Sequence, residues 1–173
     1  MSLQPATDLQ LAEIDRNASA YRGMWASIDP KFPCDFNGDL VDIDALDFIV
    51  YEAGHHPNGV QGAGYVLGSV VTRTGVMDWL GDPEGNLLIG RHEYDRIAFW
   101  PFARSLEIEN SPPQFGKYKR LLTQIVAEAI AIRVLDRDDE LALATLVDPD
   151  CLRDYVARIS DVPSLVDATP NVG

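Results

Sequence analysis

Two clusters of side chains in the sequence have types and spacing that could do chemistry. The first is Asp35, Asn37, Asp39 and Asp42 in "CDFNGDLVDID". Oxygen donors at alternate positions are how a calcium loop presents its first three ligands. With Asp35 as the first position, however, the turn glycine of the sixth becomes Leu40, the ninth Ile43, and the closing carboxylate of the twelfth Leu46. If the glycine is skipped, Asp42 falls on the ninth position and Asp44 stands one place before the closing one. Calcium takes about six to eight oxygens, so a loop without its closing carboxylate binds weakly. The competing reading makes Asp35, Asn37 and Gly38 polar turn residues, with Asp42 and Asp44 capping the following helix and complementing its dipole. The spacing favours the second reading, and Ca2+ is the one cofactor the first would admit.

The second cluster is Glu52, His55 and His56 in "YEAGHHPNG", which with His92 from further along the chain could ligate a transition metal. Gly54 and Pro57 put these histidines on a turn rather than on a rigid helical face, and adjacent histidines seldom converge on one ion. A surface turn is the favoured reading. For covalent catalysis the sequence offers no Gly-x-Ser-x-Gly elbow, and "GVQGAG" follows no strand, as a dinucleotide fingerprint must. Cys34 and Cys151 are too few for a disulfide framework or a four-cysteine zinc site, which fits a reducing compartment.

The elements that must position these residues are legible from periodicity. Leu11, Ile14, Ala18, Tyr21, Trp25 and Ile28 share one face of a helix, with Thr7 and Gln10 as its capping box. A shorter helix carries Leu46, Ile49, Val50 and Ala53 and stops at Gly54; a third carries Val60, Ala63, Val66, Leu67, Val70 and Val71. Gly62, Gly64 and Gly68 on the third predict a backbone packed closely against its neighbours. From Gly75 on, "VMDWL", "NLLIG" and "RIAFWPF", separated by "GDPEG" and "HEYD", predict an antiparallel meander whose third strand ends at Pro101 or lies at an edge. The aromatic cluster of Trp79, Phe99, Trp100 and Phe102 reads as core before it reads as a stacking platform. A long helix after "SPP" bears Tyr118, Leu121, Leu122, Ile125, Val126, Ala129 and Ile130 on one stripe. Residues 136–147 fit strand or helix, and Asp148 with Pro149 opens a terminal helix.

At 46% hydrophobic and 24% charged residues the chain has globular composition. Its formal net charge of −13, from 14 basic and 27 acidic residues, disfavours nucleic acid and anionic membranes as partners. No apolar run reaches the length of a membrane span or a signal peptide. The expectation is one soluble, cytoplasmic α+β domain over residues 1–160, a small antiparallel meander packed against several helices, followed by a flexible tail over 161–173. Within it, residues 1–58 form a helical N-terminal part, and 59–135 form a helix, the meander and the long helix.

The stretch from Gly64 to Phe102 resembles a family of uncharacterised bacterial domains. There a helix with a Leu-Gly step leads to a glycine-tryptophan strand entry and to strands ending in an apolar-Pro-apolar run. Here these are Leu67 and Gly68, then Gly75 and Trp79 one residue further apart, then Phe99 to Phe102. Residues 35–50 are weakly similar to a dockerin repeat, whose helix opens with a run such as "LDFIV". The first resemblance implies a regulatory or protein-interaction module and carries over no catalytic residue. A protein partner would be sought at Lys117, Lys119, Arg120 and Arg133 on the long helix. The alternative is a metal- or calcium-binding protein, or a metal-dependent enzyme, built on one of the two clusters above.

Overall fold

The computed structural model describes residues 3–28, 37–53, 59–92, 94–110, 112 and 114–160. Asp35, His55, His56 and the segment 161–173 lie outside these, as does the Glu52 side chain. The architecture is α+β, as the patterning predicts, with seven helices and one four-stranded antiparallel sheet of order β1-β2-β3-β4 among the described residues. Strand β1 (Gln4–Pro5) pairs with β2 (Asp78–Gly81), which pairs with β3 (Leu87–Arg91), which pairs with β4 (Tyr94–Phe99). Strands β2 to β4 are the expected meander. The two-residue β1 is too short to leave an alternating pattern and is not legible in the sequence.

Helix α1 (Asp8–Ile28) opens with the expected capping box: the Thr7 N–H donates to Gln10 Oε1 at 2.9 Å, and the Gln10 N–H to Thr7 Oγ1 at 3.3 Å. Ile14, Ala18, Tyr21 and Trp25 are buried, whereas Leu11 stays exposed because the first turn meets the sheet through Gln10, whose amide lies against Gly81. Helix α2 (Leu40–Ala53) begins inside the stretch that a calcium loop would need as loop.

Helix α3 (Gly59–Thr72) is the hub, and its glycines are the contact points. A methyl group on Gly62 would stand 2.2 Å from the Tyr21 ring of α1, one on Gly64 2.5 Å from Phe102, and one on Gly68 2.3 Å from the Trp79 ring of β2. Tyr65 meets Phe102 edge to face with ring centroids 4.9 Å apart, so Trp79 and Phe102 serve packing against α3. Trp79 and its neighbour Leu80 are both buried, so β2 is covered on both faces at this point.

Pro101 ends β4 by starting a helix, α4 (Pro101–Glu109), which occupies the first-turn position where a missing N–H costs nothing. The sequence reading had no helix here. The apolar stripe of the long helix α5 (Lys117–Ala131) is buried from Tyr118 to Ala129. The ambiguous stretch contains α6 (Arg137–Ala144), capped by Asp136 and tied to β3 by an ion pair between Asp139 and Arg91. Helix α7 (Pro149–Ser160) is capped by Asp148 as expected, with N–H donors from Asp150 and Cys151.

Replacing Gly68 with Ala is expected to lower the unfolding free energy by about 1–3 kcal/mol, because the added methyl overpacks a rigid indole. Gly23 of α1 has open space around it, and Gly23→Ala should raise stability by up to about 1 kcal/mol through helix propensity. Urea denaturation of the two variants against the parent checks both signs.

Candidate functional site

Asp39 and Asp42 form the start of α2. Asp39 Oδ1 accepts the Val41 N–H at 2.9 Å, which makes it the cap residue. Asp42, in the first turn, reaches back so that Oδ2 accepts three successive backbone N–H groups, from Asn37 at 3.1 Å, Gly38 at 2.7 Å and Asp39 at 3.3 Å. Gly38 has φ 67°, the left-handed conformation that lets the turn aim its N–H groups inward. Successive N–H groups so arranged make an anion nest, and this one holds the chain's own carboxylate.

The other oxygen of Asp42 accepts from Arg22 Nε of α1 at 2.8 Å, and both side chains are fully buried. The Arg22 guanidinium also lies 4.3 Å from the Trp25 ring centroid. Its two terminal nitrogens and Trp25 Nε1 find no acceptor among the described residues. Every oxygen of Asp42 thus faces a donor. Asn37 contributes its backbone N–H to the nest, and Asp44 is exposed and ion-paired with Lys119. The chemistry of this cluster, among the described residues, is helix capping and charge pairing.

No three His, Cys, Asp or Glu side chains gather at metal-binding distance among the described residues. His92 is exposed in the turn after β3.

A second buried carboxylate of α2 has a different partner. Asp47 accepts the N–H groups of Tyr118 at 2.7 Å and Lys119 at 3.2 Å, the first turn of α5. That helix starts at Gly116, which has φ 80° and no side chain to cap with, so Asp47 supplies the cap from another helix. Burial pushes the Asp47 carboxyl above its ordinary 3.8, against the two N–H groups and the Lys119 cation that pull it down.

The anchored first turn of α5 borders an open cleft of about 310 Å³ between α4, α5 and α7. Arg104, Lys117, Arg120, Gln114, Gln124 and Tyr155 line it with Ile108 and Leu121, and among the described residues that line it none is a carboxylate. Arg104 is partly neutralised by Glu128 at 3.4 Å, and Lys117 Nζ lies 3.4 Å from the Ile108 carbonyl. Arg158 stacks behind Tyr155, its guanidinium 4.7 Å from the ring centroid. Of the four basic residues singled out on the long helix, Lys117 and Arg120 line this cleft. Lys119 turns away to Asp44, and Arg133 lies past the far end of α5. Arg104 and Tyr155 were not expected here, because the sequence reading had no α4 to carry the one and no reason to place α7 beside α5.

Removing the Asp42 carboxylate strands a buried guanidinium. Asp42→Ala should cost about 3–5 kcal/mol, with much of it recovered when Arg22 is replaced by Met in the same chain. In the same melts, excess calcium added after chelation should leave the parent's Tm unchanged, since calcium would have to displace four donors from Asp42. Asp47 has the opposite sign of pH dependence from most carboxylates. Its folded-state value is raised, so its contribution favours the fold below pH 3.8 and is lost as pH rises through the folded value. Carboxyl-carbon NMR titration should place Asp47 above the exposed aspartates, and Asp47→Asn should remove that pH slope from the stability curve.

Comparison of the chain with family models, curated proteins and solved structures finds no match in any of the three.

Proposed function

We propose that the chain is a non-catalytic interaction module that receives an anionic group of its partner in the cleft between α4, α5 and α7. The observation that supports this most directly is the placement of charge. A chain of net charge −13 gathers two arginines and a lysine along one cleft, and among the described residues lining it none is a carboxylate, although Arg104 is paired with Glu128 at its edge. Arginine stays charged at any physiological pH and presents a planar fork that fits a carboxylate. The glutamines and Tyr155 add neutral donors. These groups hold a charge in place; a nucleophile with its base is not among them.

The resemblance to interaction modules points the same way, and among the described residues no helix is long and apolar enough to cross a membrane. A nucleic acid is disfavoured because an extended polyanion would run beyond the cleft onto the acidic remainder.

Titration of the labelled protein with acetylated triglutamate, followed by amide chemical shifts, tests the reading. Shifts should cluster at residues lining the cleft, weaken with added salt, and lose affinity on the order of tenfold in Arg120→Glu, a change at an exposed side chain. Shifts scattered over the surface, or unaffected by Arg120→Glu, would refute it.

A further inference from the structure

The pair of Arg22 and Asp42 uses only one corner of the guanidinium. Asp42 is reached through Nε, at 2.8 Å, while Nη1 and Nη2 are enclosed and meet no acceptor among the described residues. The same holds for Nε1 of Trp25. Both side chains are 0% exposed. They stand three residues apart on the buried face of α1, and the guanidinium carbon lies 4.3 Å from the centroid of the indole, so the orphaned donors are neighbours in space. A buried donor without an acceptor loses its hydration and gains nothing in return, which is why roughly nine in ten such groups are partnered in folded proteins. Three at one place, two of them on a cation, are a heavy charge on the small net stability of a domain.

The chemistry of the missing partner follows from the inventory of the site. The two terminal nitrogens carry two N–H bonds each and the indole nitrogen one, and none of them has a lone pair to offer. A water placed here would accept from two donors and be left with two hydrogens of its own to place. A group that only accepts suits the site better. It must also be small, because both residues are closed off from solvent. An anion adds charge to a neutral pair, but the Asp42 carboxylate already draws on three backbone N–H groups besides Arg22, and the positive end of α2 lies at the same turn.

We propose that Nη1 and Nη2 of Arg22 and Nε1 of Trp25 hold a small monovalent anion of the halide class, with chloride as its ordinary occupant. The site is independent of the cleft between α4, α5 and α7. Its ion ties the last turns of α1 to the pair that positions α2, so binding is coupled to the fold itself.

The test replaces sodium gluconate with sodium chloride at constant ionic strength and follows the full chain by thermal unfolding and by the indole N–H signals of its three tryptophans. Gluconate is too large for a closed site. Once the site is filled, each tenfold rise in chloride should lift Tm by about 3–6 °C. The indole signal missing from Trp25→Phe should move saturably with chloride in the parent, while those of Trp79 and Trp100 stay in place. Trp25→Phe, which keeps a ring beneath the guanidinium and removes one donor, should weaken the chloride response about tenfold. Arg22→Lys keeps a cation for Asp42 without the fork and should abolish the response. An indole signal and a Tm that ignore chloride would overturn the proposal, and a cross-peak from that N–H to a long-lived water would make water the acceptor instead. A drift of all three indole signals without saturation would show a general salt effect and overturn it as well. These readings on the parent decide the matter even if a variant fails to fold.

Discussion

The ion pair of Arg22 with Asp42 is the interaction on which the helical half of the molecule is organised. Burying two charges costs several kcal/mol per ion, a cost offset only when geometry and further hydrogen bonds are good. For Asp42 they are: four donors meet two oxygens, with no access to water. The consequence is positional. The guanidinium fixes where the last turns of α1 lie relative to the first turn of α2, and the three N–H groups fix the turn at residues 37–39. A pair of this kind is poor evidence for high stability, since apolar residues of equal volume would serve as well. Its contribution is to select one arrangement of α1 and α2.

Helix α2 then acts as a bracket. Near its start it receives the charge from α1, and one turn later Asp47 receives the N–H groups of α5. Both carboxylates perform the same task, completing a helix N-terminus, one on its own helix and one on another. Between these two ends α3 packs without side chains at three positions, so that α1, α4 and the sheet approach its backbone directly. The cleft is a by-product of this arrangement, because α4 and α7 flank α5 at the end that Asp47 anchors.

Much of the frame was legible in the sequence because it follows from periodicity and end signals: the Thr7–Gln10 box, the stripe of α5, the meander and the Asp148–Pro149 start of α7. The elements missed are those whose cause lies elsewhere in the chain. Strand β1 exists only as a partner for β2, and α4 reads as loop because Pro101 marks a strand's end as well as a helix's start. The candidate site was legible in part. Lys117 and Arg120 stood out as cations in an acidic chain, whereas the partners of Asp42 and Asp47 did not. Yet both had left a trace: Arg22 falls on the apolar face of α1 with Ala18 and Trp25, and Asp47 on that of α2 with Ile43 and Val50. A charge on an apolar stripe marks a residue that must find a buried partner, although periodicity cannot say which.

The cap that Asp47 gives α5 spans 71 residues of sequence. A helix that carries its own cap can begin locally, within microseconds and independently of the rest. The first turn of α5 instead waits for a long stretch of chain to close, and the entropy of that closure must be met before the two N–H groups are satisfied. The end of α5 that borders the cleft is therefore tied to tertiary assembly in a way that its middle is not. In a chain opening locally from the native state, that turn would be released whenever α2 lifts away, while the apolar stripe behind it could stay packed.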